Sequence, residues 1–325
     1  MRPFGTIALG MTGVLLLWGC ARQATFRPLP VSTTSPAIRF EAASSGKLRD
    51  RLAPPDDAQW VLLYGGEQKG SLATCGCPDH PLGSVERIAG YRNAMSGPPS
   101  VLVNTGYWLH DGLGADGRVR TEALETNRRM LAGLSASYFD ALNISYRDWI
   151  YLKDQRSAPE EAVSANLTPG SDEPVIQDWL VIRRAQIRIG VTGVSRMRNG
   201  MPGQGNAQWE DPVDAARRVI ATRGSEVDWV VLLTYELTPG QVASLAALEE
   251  VDVLVESHNY TERWEPFIAG KTLWVRSNAE TRRLGELRLF RAPEGEIRAL
   301  DRRVTLDDAI PSHRTVRRIR MGRVK

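Results

Sequence analysis

From residue 60 onward the chain is punctuated by short apolar runs, and these constrain its fold more than any other feature. They fall at 60–63, 101–103, 138–144, 162–167, 229–233 and 251–255, each bounded by polar or turn residues. Runs this short and this apolar read as strands buried on both faces. Between them, helical spacing fits 84–95, 121–134, 212–222 and 241–249, with Pro212 and Pro239 where first-turn prolines belong. A hairpin is expected at 179–194, and further β structure at 272–275 and 284–304. Strands alternating with helices, followed by antiparallel additions, give an α/β layered domain. No internal repeat and no second core is evident, so 59–305 is expected to be a single domain.

Composition narrows the class. With 42% hydrophobic and 24% charged residues among 325, the chain is neither disordered, collagen-like nor a polytopic membrane protein. A net charge of +3 is too small to imply nucleic acid as a partner. The one concentrated basic segment is 314–325, inside a tail, 306–325, that reads as a solvated end or as a contact for anionic lipid or a protein partner. Three cysteines are too few for a disulfide scaffold.

The first residues address the compartment. Arg2 precedes an apolar run, 7–18, that is too short for a comfortable membrane span but suits a signal-peptide core. It ends in Leu17-Trp18-Gly19-Cys20, which resembles a bacterial lipoprotein signal. The resemblance implies a signal peptide over 1–19, lipidation of Cys20 and an exported, membrane-anchored protein; an uncleaved anchor helix is the alternative. Ala21, where inner-membrane lipoproteins usually carry Asp, points to the outer membrane, facing the periplasm. Residues 20–58 are rich in Pro, Ser, Thr, Ala and Arg and read as a flexible tether. As a random coil it would reach roughly 35 Å.

In layered α/β folds, sites gather in loops beyond the carboxyl ends of strands. Those loops hold Gly65-Gly66-Glu67-Gln68-Lys69-Gly70, Asn104-Thr105-Gly106-Tyr107, Asn143-Ile144-Ser145-Tyr146-Arg147-Asp148, Leu233-Thr234-Tyr235-Glu236 and Glu256-Ser257-His258-Asn259-Tyr260. In their order and spacing, supported by Ser164-Ala165-Asn166 and 189–194, they resemble the calcineurin-like metallophosphoesterases, specifically the catalytic domain of the 5'-nucleotidase and UDP-sugar hydrolase group. The resemblance implies a metallophosphoesterase-like β-sandwich flanked by helices. It is strongest to exported nucleotidase-like proteins with a Cys-Gly-Cys segment after the first strand, some with selenocysteine, whose pattern is similar to 74–83 here.

That family's chemistry uses two divalent metals about 3.5–4 Å apart to generate a hydroxide and clamp a phosphate. The resemblance assigns the first loop's Asp-x-His pair to Glu67 and Lys69, and the bridging Asp to Tyr107. Its Gly-Asn-His-Glu motif falls on Tyr146, Arg147 and Asp148, a further ligand His on Tyr235, and the last His-x-His on His258 and Tyr260. A lysine repels a metal, and a phenol near pKa 10 does not replace a carboxylate or imidazole at neutral pH. The expectation is a retained scaffold whose dinuclear centre is lost. A single metal on Glu67, Asp148 and His258 is the rescue alternative, and a residual metal-dependent phosphoesterase is the functional reading that goes with it.

The other candidate is Cys75-Gly76-Cys77. Thiols one residue apart can close a strained, oxidising disulfide or share a soft metal. His80 extends the set to Cys-x-Cys-x-x-His, three donors for one copper(I) or zinc. An inert loop staple is the plain alternative. With Cys20 lipidated, Cys75 and Cys77 would be the remaining thiols, and the selenocysteine of the resembling proteins favours redox chemistry. The leading expectation is therefore an anchored protein presenting a Cys-x-Cys site for redox or soft-metal handling, with an envelope protein or redox partner. A non-catalytic binding or assembly factor of the envelope is the third reading.

Overall fold

The computed structural model describes residues 38–44, 47–52, 58–77, 79–112, 119–197, 205–257, 265–277, 282–293 and 295–323. The signal segment, Cys20, Pro78, His258 and Tyr260 lie outside them. In chain order come β1 (Ile38–Ser44), α1 (Leu48–Leu52), β2 (Trp60–Gly65), α2 (Val85–Ala94), β3 (Ser100–Asn104), α3 (Thr121–Ala136), β4 (Ala141–Asn143) and α4 (Tyr146–Gln155). Then follow β5 (Ala162–Val163), β6 (Leu167–Thr168), β7 (Leu180–Arg184), β8 (Ile187–Ser195), β9 (Gln208–Trp209), α5 (Pro212–Arg223), β10 (Trp229–Tyr235), α6 (Pro239–Ala246) and β11 (Val253–Glu256). After these come β12 (Phe267–Ala269), β13 (Thr272–Arg276), β14 (Arg283–Arg291), β15 (Ile297–Thr305) and α7 (Arg314–Arg320).

The strands form two principal sheets, ordered β1-β15-β14-β2-β3-β4-β5 and β12-β13-β11-β10-β8-β7. Each has a parallel centre, β2 to β5 in one and β8, β10, β11 and β13 in the other, with antiparallel strands beside it. Because a central strand is covered on both faces, β2 and β10 are buried along their whole length. Alternate side chains divide the work. Trp60, Leu62, Val101 and Val103 meet Val191, Val231 and Leu233 between the sheets. Val61, Leu63 and Leu102 join the core that includes residues of α2, α3 and α7, while Val230, Leu232 and Leu254 pack with residues of α5 and α6. The result is the expected β-sandwich flanked by helices.

Local chemistry sets the helix starts. Ser84 caps α2 by accepting the Arg87 N–H at 3.2 Å, and Asp211 caps α5 ahead of Pro212. Thr238 and Gln241 form a capping box that starts α6 at Pro239, two residues before apolar spacing alone places it.

Several segments differ from the sequence expectation. The strand expected at 138–144 is only Ala141–Asn143, because Ser137 and Tyr138 make the turn that ends α3, with Tyr138 at φ 55. The run 162–167 is broken into β5 and β6 by a turn at Ala165-Asn166, and Asn166 is spent latching Ser195, whose carbonyl takes its amide at 2.8 Å. Part of the expected tether is folded: β1 pairs parallel with β15, and the buried Arg51 of α1 donates to the Thr305 carbonyl at 2.6 Å and pairs with Asp307 at 2.7 Å. The Arg51 guanidinium docks α1 together with Leu48 and Leu52, which pack against the core. The tail is corrected in the same way. Val316 and Ile319 of α7 are buried in the core beside α2 and α3, leaving its outward arginines solvated. Among the described residues no helix is long and apolar enough to cross a membrane.

Candidate functional site

Parallel strands of both sheets end at one side, where the loops after β2, β3, β4 and β10 converge. The first two run on as a paired ribbon: the Glu67, Lys69 and Gly70 amides donate to the Gly106, Tyr107 and Trp108 carbonyls at 3.0, 3.1 and 2.9 Å. Asn143, at the end of β4, joins the sheets by donating to the Thr105 carbonyl at 2.8 Å and the Val194 carbonyl at 3.3 Å. This junction requires Gly193, since a Cβ there would lie 2.2 Å from the Asn143 Oδ1.

Every described residue that the resemblance matches to a ligand position arrives at this place. Lys69 Nζ lies 3.6 Å from Glu67 and 5.6 Å from the centre of the Tyr107 ring. The Arg147 guanidinium stacks at 4.9 Å over both Tyr107 and Tyr146 and pairs with Asp111. Tyr107 and Tyr235 meet edge to face at 6.1 Å. Gly106 makes room, because a Cβ on it would lie 3.1 Å from the Tyr235 ring. Ring–cation and ring–ring contacts thus occupy the place where the resemblance puts metal ligands.

The backbone here is strained. Glu67, Lys69, Tyr107 and Glu236 all have positive φ, at 56, 52, 58 and 53. A left-handed conformation in side chains this large persists only where the surroundings over-determine it, and such residues cluster at functional sites.

Burial governs the electrostatics of the cluster. Burial pushes the Tyr107 phenol well up, helped by Asp111, and does the same at Tyr235, helped by Glu236 and Glu67. Both phenols therefore stay neutral. Asp148 is wholly buried and committed inward. One oxygen accepts the Tyr107 N–H at 2.8 Å, the Ser145 N–H at 3.0 Å and the Ser145 hydroxyl at 2.5 Å, and the other accepts the Leu109 N–H at 2.8 Å. Burial still lifts its carboxyl to about 6 against these bonds. With both oxygens accepting bonds inside the fold, Asp148 latches the loop after β3 to the start of α4. It also closes a capping box with Ser145, which makes 146–155 a helix where the sequence reading has a loop. The Ser145-x-x-Asp148 spacing carries that signal.

Beside the cluster lies the cysteine loop. Cys75 and Cys77 are not in a disulfide. The Cys75 amide donates to the Leu82 carbonyl at 2.8 Å and its Sγ accepts the Leu82 N–H at 3.2 Å, which pins the loop base. Amide donation from Leu82, and then from Cys77, holds the Cys75 thiol below its ordinary value, with Arg282 adding to the effect. Cys77 is exposed. His80 is exposed too, and its carbonyl, 4.0 Å from the Cys75 Sγ, is its recorded contact with the thiol. Among the described residues no three of His, Cys, Asp and Glu are grouped to hold a metal ion. The single-metal set of Glu67, Asp148 and His258 includes a residue outside the described ones. Sequence reasoning missed Asp111 and Leu82; the first has no motif, and the second acts through its backbone.

No family model matches the sequence, and no curated protein matches it. Solved structures match in fold. The sulfate thiohydrolase SoxB of Thermus thermophilus, in complex with glycerol, superposes with a TM-score of 0.66 at 14% identity, covering 83% of this chain and 61% of that one. A 5'-nucleotidase precursor from Thermus thermophilus gives 0.62 at 16% identity over 81% and 58%, and a putative 5'-nucleotidase from Staphylococcus aureus gives 0.62 at 11% over 81% and 57%. The chain spans about three-fifths of the length of each of these proteins. At such identities what is shared is the fold: this chain has the α/β sandwich seen in the SoxB and 5'-nucleotidase structures.

Proposed function

We propose that the chain is an exported lipoprotein, anchored through Cys20 at the outer membrane, in which a 5'-nucleotidase-like scaffold with a lost dinuclear centre carries a dithiol exchange site at Cys75 and Cys77. The observation that carries the exchange reading is the setting of Cys75: its thiol accepts backbone N–H groups from Leu82 and Cys77 and lines an open cleft, while Cys77 stands one residue away and exposed. Amide donors favour the thiolate, which is the attacking species.

The chemistry balances. The Cys75 thiolate attacks one sulfur of a partner disulfide, the S–S bond breaks, and the departing thiolate takes a proton from water. The Cys77 thiolate then attacks Cys75 Sγ, forming the Cys75–Cys77 disulfide and releasing the second thiol. Two electrons and two protons pass to the partner.

The Tyr107, Tyr146, Tyr235, Arg147 and Lys69 cluster supports loss of the metal centre. Its neutral phenols and cations offer a divalent ion little, and Asp148 has no oxygen to spare.

The test combines two assays on the purified chain. Reduced protein should exchange with 2-hydroxyethyl disulfide to form a mixed disulfide at Cys75, with loss of this reaction in Cys75→Ser. Metal analysis should find fewer than one manganese, iron or zinc per chain, with no chelator-sensitive hydrolysis of bis-p-nitrophenyl phosphate. Two metals and such hydrolysis would replace this reading with a phosphoesterase. Neither activity would leave a non-catalytic envelope factor. Release of the mature protein from membranes by Cys20→Ser checks the anchor.

A further inference from the structure

Cys75 faces a cleft of about 270 Å³ whose described lining also includes Gln68, Lys69, Ser71, Thr74 and Ser84. Three features of this cleft bear on what enters it. The first is size: it falls just below the roughly 300–1,000 Å³ typical of small-molecule sites. The second is which cysteine lines it. Cys75 does, whereas Cys77 is not among the described lining residues.

The third is charge. Lys69 lines the cleft with its side chain 40% exposed, while Glu67, its ion-pair partner at 3.6 Å, is 13% exposed and does not line it. The described lining holds no carboxylate. The first turn of α2, at Ser84 and Val85, also borders it and adds its weak positive end. Arg282 is close enough to Cys75 to favour its thiolate. The cleft therefore brings a half-exposed lysine and an activated thiol to the walls of a single small space.

We infer that this cleft selects low-molecular-weight disulfides bearing an anionic group such as a carboxylate, with Lys69 holding the anion while Cys75 attacks the neighbouring sulfur. This rests on the dithiol reading above and adds the substrate class to it. In the reaction the thiolate of Cys75 displaces one half of the small disulfide as its free thiol, leaving the other half bonded to Cys75 until Cys77 displaces it. No other reactant is needed. Lys69 is here a binding residue and takes no part in electron transfer.

The experiment uses the reduced full chain and three small disulfides: 3,3'-dithiodipropionate, which is anionic, 2-hydroxyethyl disulfide, which is neutral, and cystamine, which is cationic. Each rate of mixed-disulfide formation at Cys75, read by mass spectrometry in Cys77→Ser, is divided by the rate of dithiothreitol with the same compound. The normalised anionic-to-cationic ratio should be about tenfold or more at low salt and should shrink as salt is added. Lys69→Gln should cut that ratio by about threefold or more, and Lys69→Arg should keep most of it. A ratio near one, a cationic preference, or a ratio unmoved by Lys69→Gln overturns the anion assignment. The neutral disulfide separates the two proposals: if it fails to react in the wild-type chain, the dithiol reading falls; if it reacts and the ratio is flat, only the charge selection falls.

Discussion

The strand-end cluster and the cysteine loop lie side by side, yet they have opposite character. In the cluster, Tyr146, Asp148 and Tyr235 are buried and the rings of Tyr107 and Tyr146 are covered by Arg147. In the loop, Gly76, Cys77 and His80 are exposed, and Leu72 is the one buried apolar side chain among the described residues 71–80. Lys69 belongs to both, since it sits over the Tyr107 ring and lines the cleft of Cys75. The contrast teaches what each kind of chemistry demands. A dinuclear metal centre needs anionic donors facing an open space, and here that space is packed with neutral phenols and guanidinium. A thiol needs access and a few donors for its sulfur, which a loosely packed loop supplies.

The sharpest way to break this contrast is to delete the thiols. Replacing Cys75 and Cys77 together by serine should lower disulfide exchange by about 100-fold or more, while the melting temperature stays within a few degrees, because the loop carries little core. A chain that unfolds on this change, or keeps its exchange activity, would make the loop a staple or the wrong site.

The cluster should respond in the reverse sense. Asp148→Ala leaves the buried amides of Tyr107, Leu109 and Ser145 without their acceptor, a loss of about 3 kcal/mol or more in denaturant unfolding. A loss below about 1 kcal/mol would show that the latch is unimportant. The carboxyl also titrates with a defined sign. Its folded value, about 6, lies above the ordinary 3.8, so the stabilisation from the protonated form is complete below about 4 and lost as pH rises through 6. Stability of the wild type relative to Asp148→Asn should fall between those values and level off above them, and a difference independent of pH would contradict the raised value.

A smaller effect concerns Cys75 itself. Its rate of alkylation by iodoacetamide should rise with pH at a midpoint below the ordinary 9.0 of a thiol, giving a several-fold advantage at neutral pH over a model thiol. A midpoint at or above 9.0 removes the amide donation from the account. Least of all, Tyr107→Phe should cost about 1 kcal/mol of stability through its hydroxyl's bond to Asp111 and leave exchange intact. Loss of exchange on that change would merge the two regions into one site.

The central strands were legible because burial on both faces writes an unbroken apolar run, as in Trp60 to Leu63. The gathering of Glu67, Tyr107, Tyr146 and Tyr235 at one side of the sheets was legible because each follows the end of a strand in the sequence. Other features depend on partners far away in the chain. β1 is a strand by virtue of β15, and Arg51 is buried because Thr305 and Asp307 receive it. The donors that activate Cys75 are main-chain groups of Leu82 and Cys77, which no side-chain motif announces.

The order of strands in the first sheet has a consequence for how the chain comes to be folded. β2 lies between β3 and β14, and β1 pairs with β15 at the sheet's edge among the described residues. A ribosome or translocation channel delivering this chain from its amino end therefore releases β1 and β2 long before residues 283–305 arrive to complete that side of the sheet. Pairings of such large sequence separation form slowly, because the intervening loop must be closed before the contacts can hold it. The emerging chain stays open through most of its synthesis, which keeps it threadable and also makes it dependent on protection from aggregation until β14 and β15 are in place.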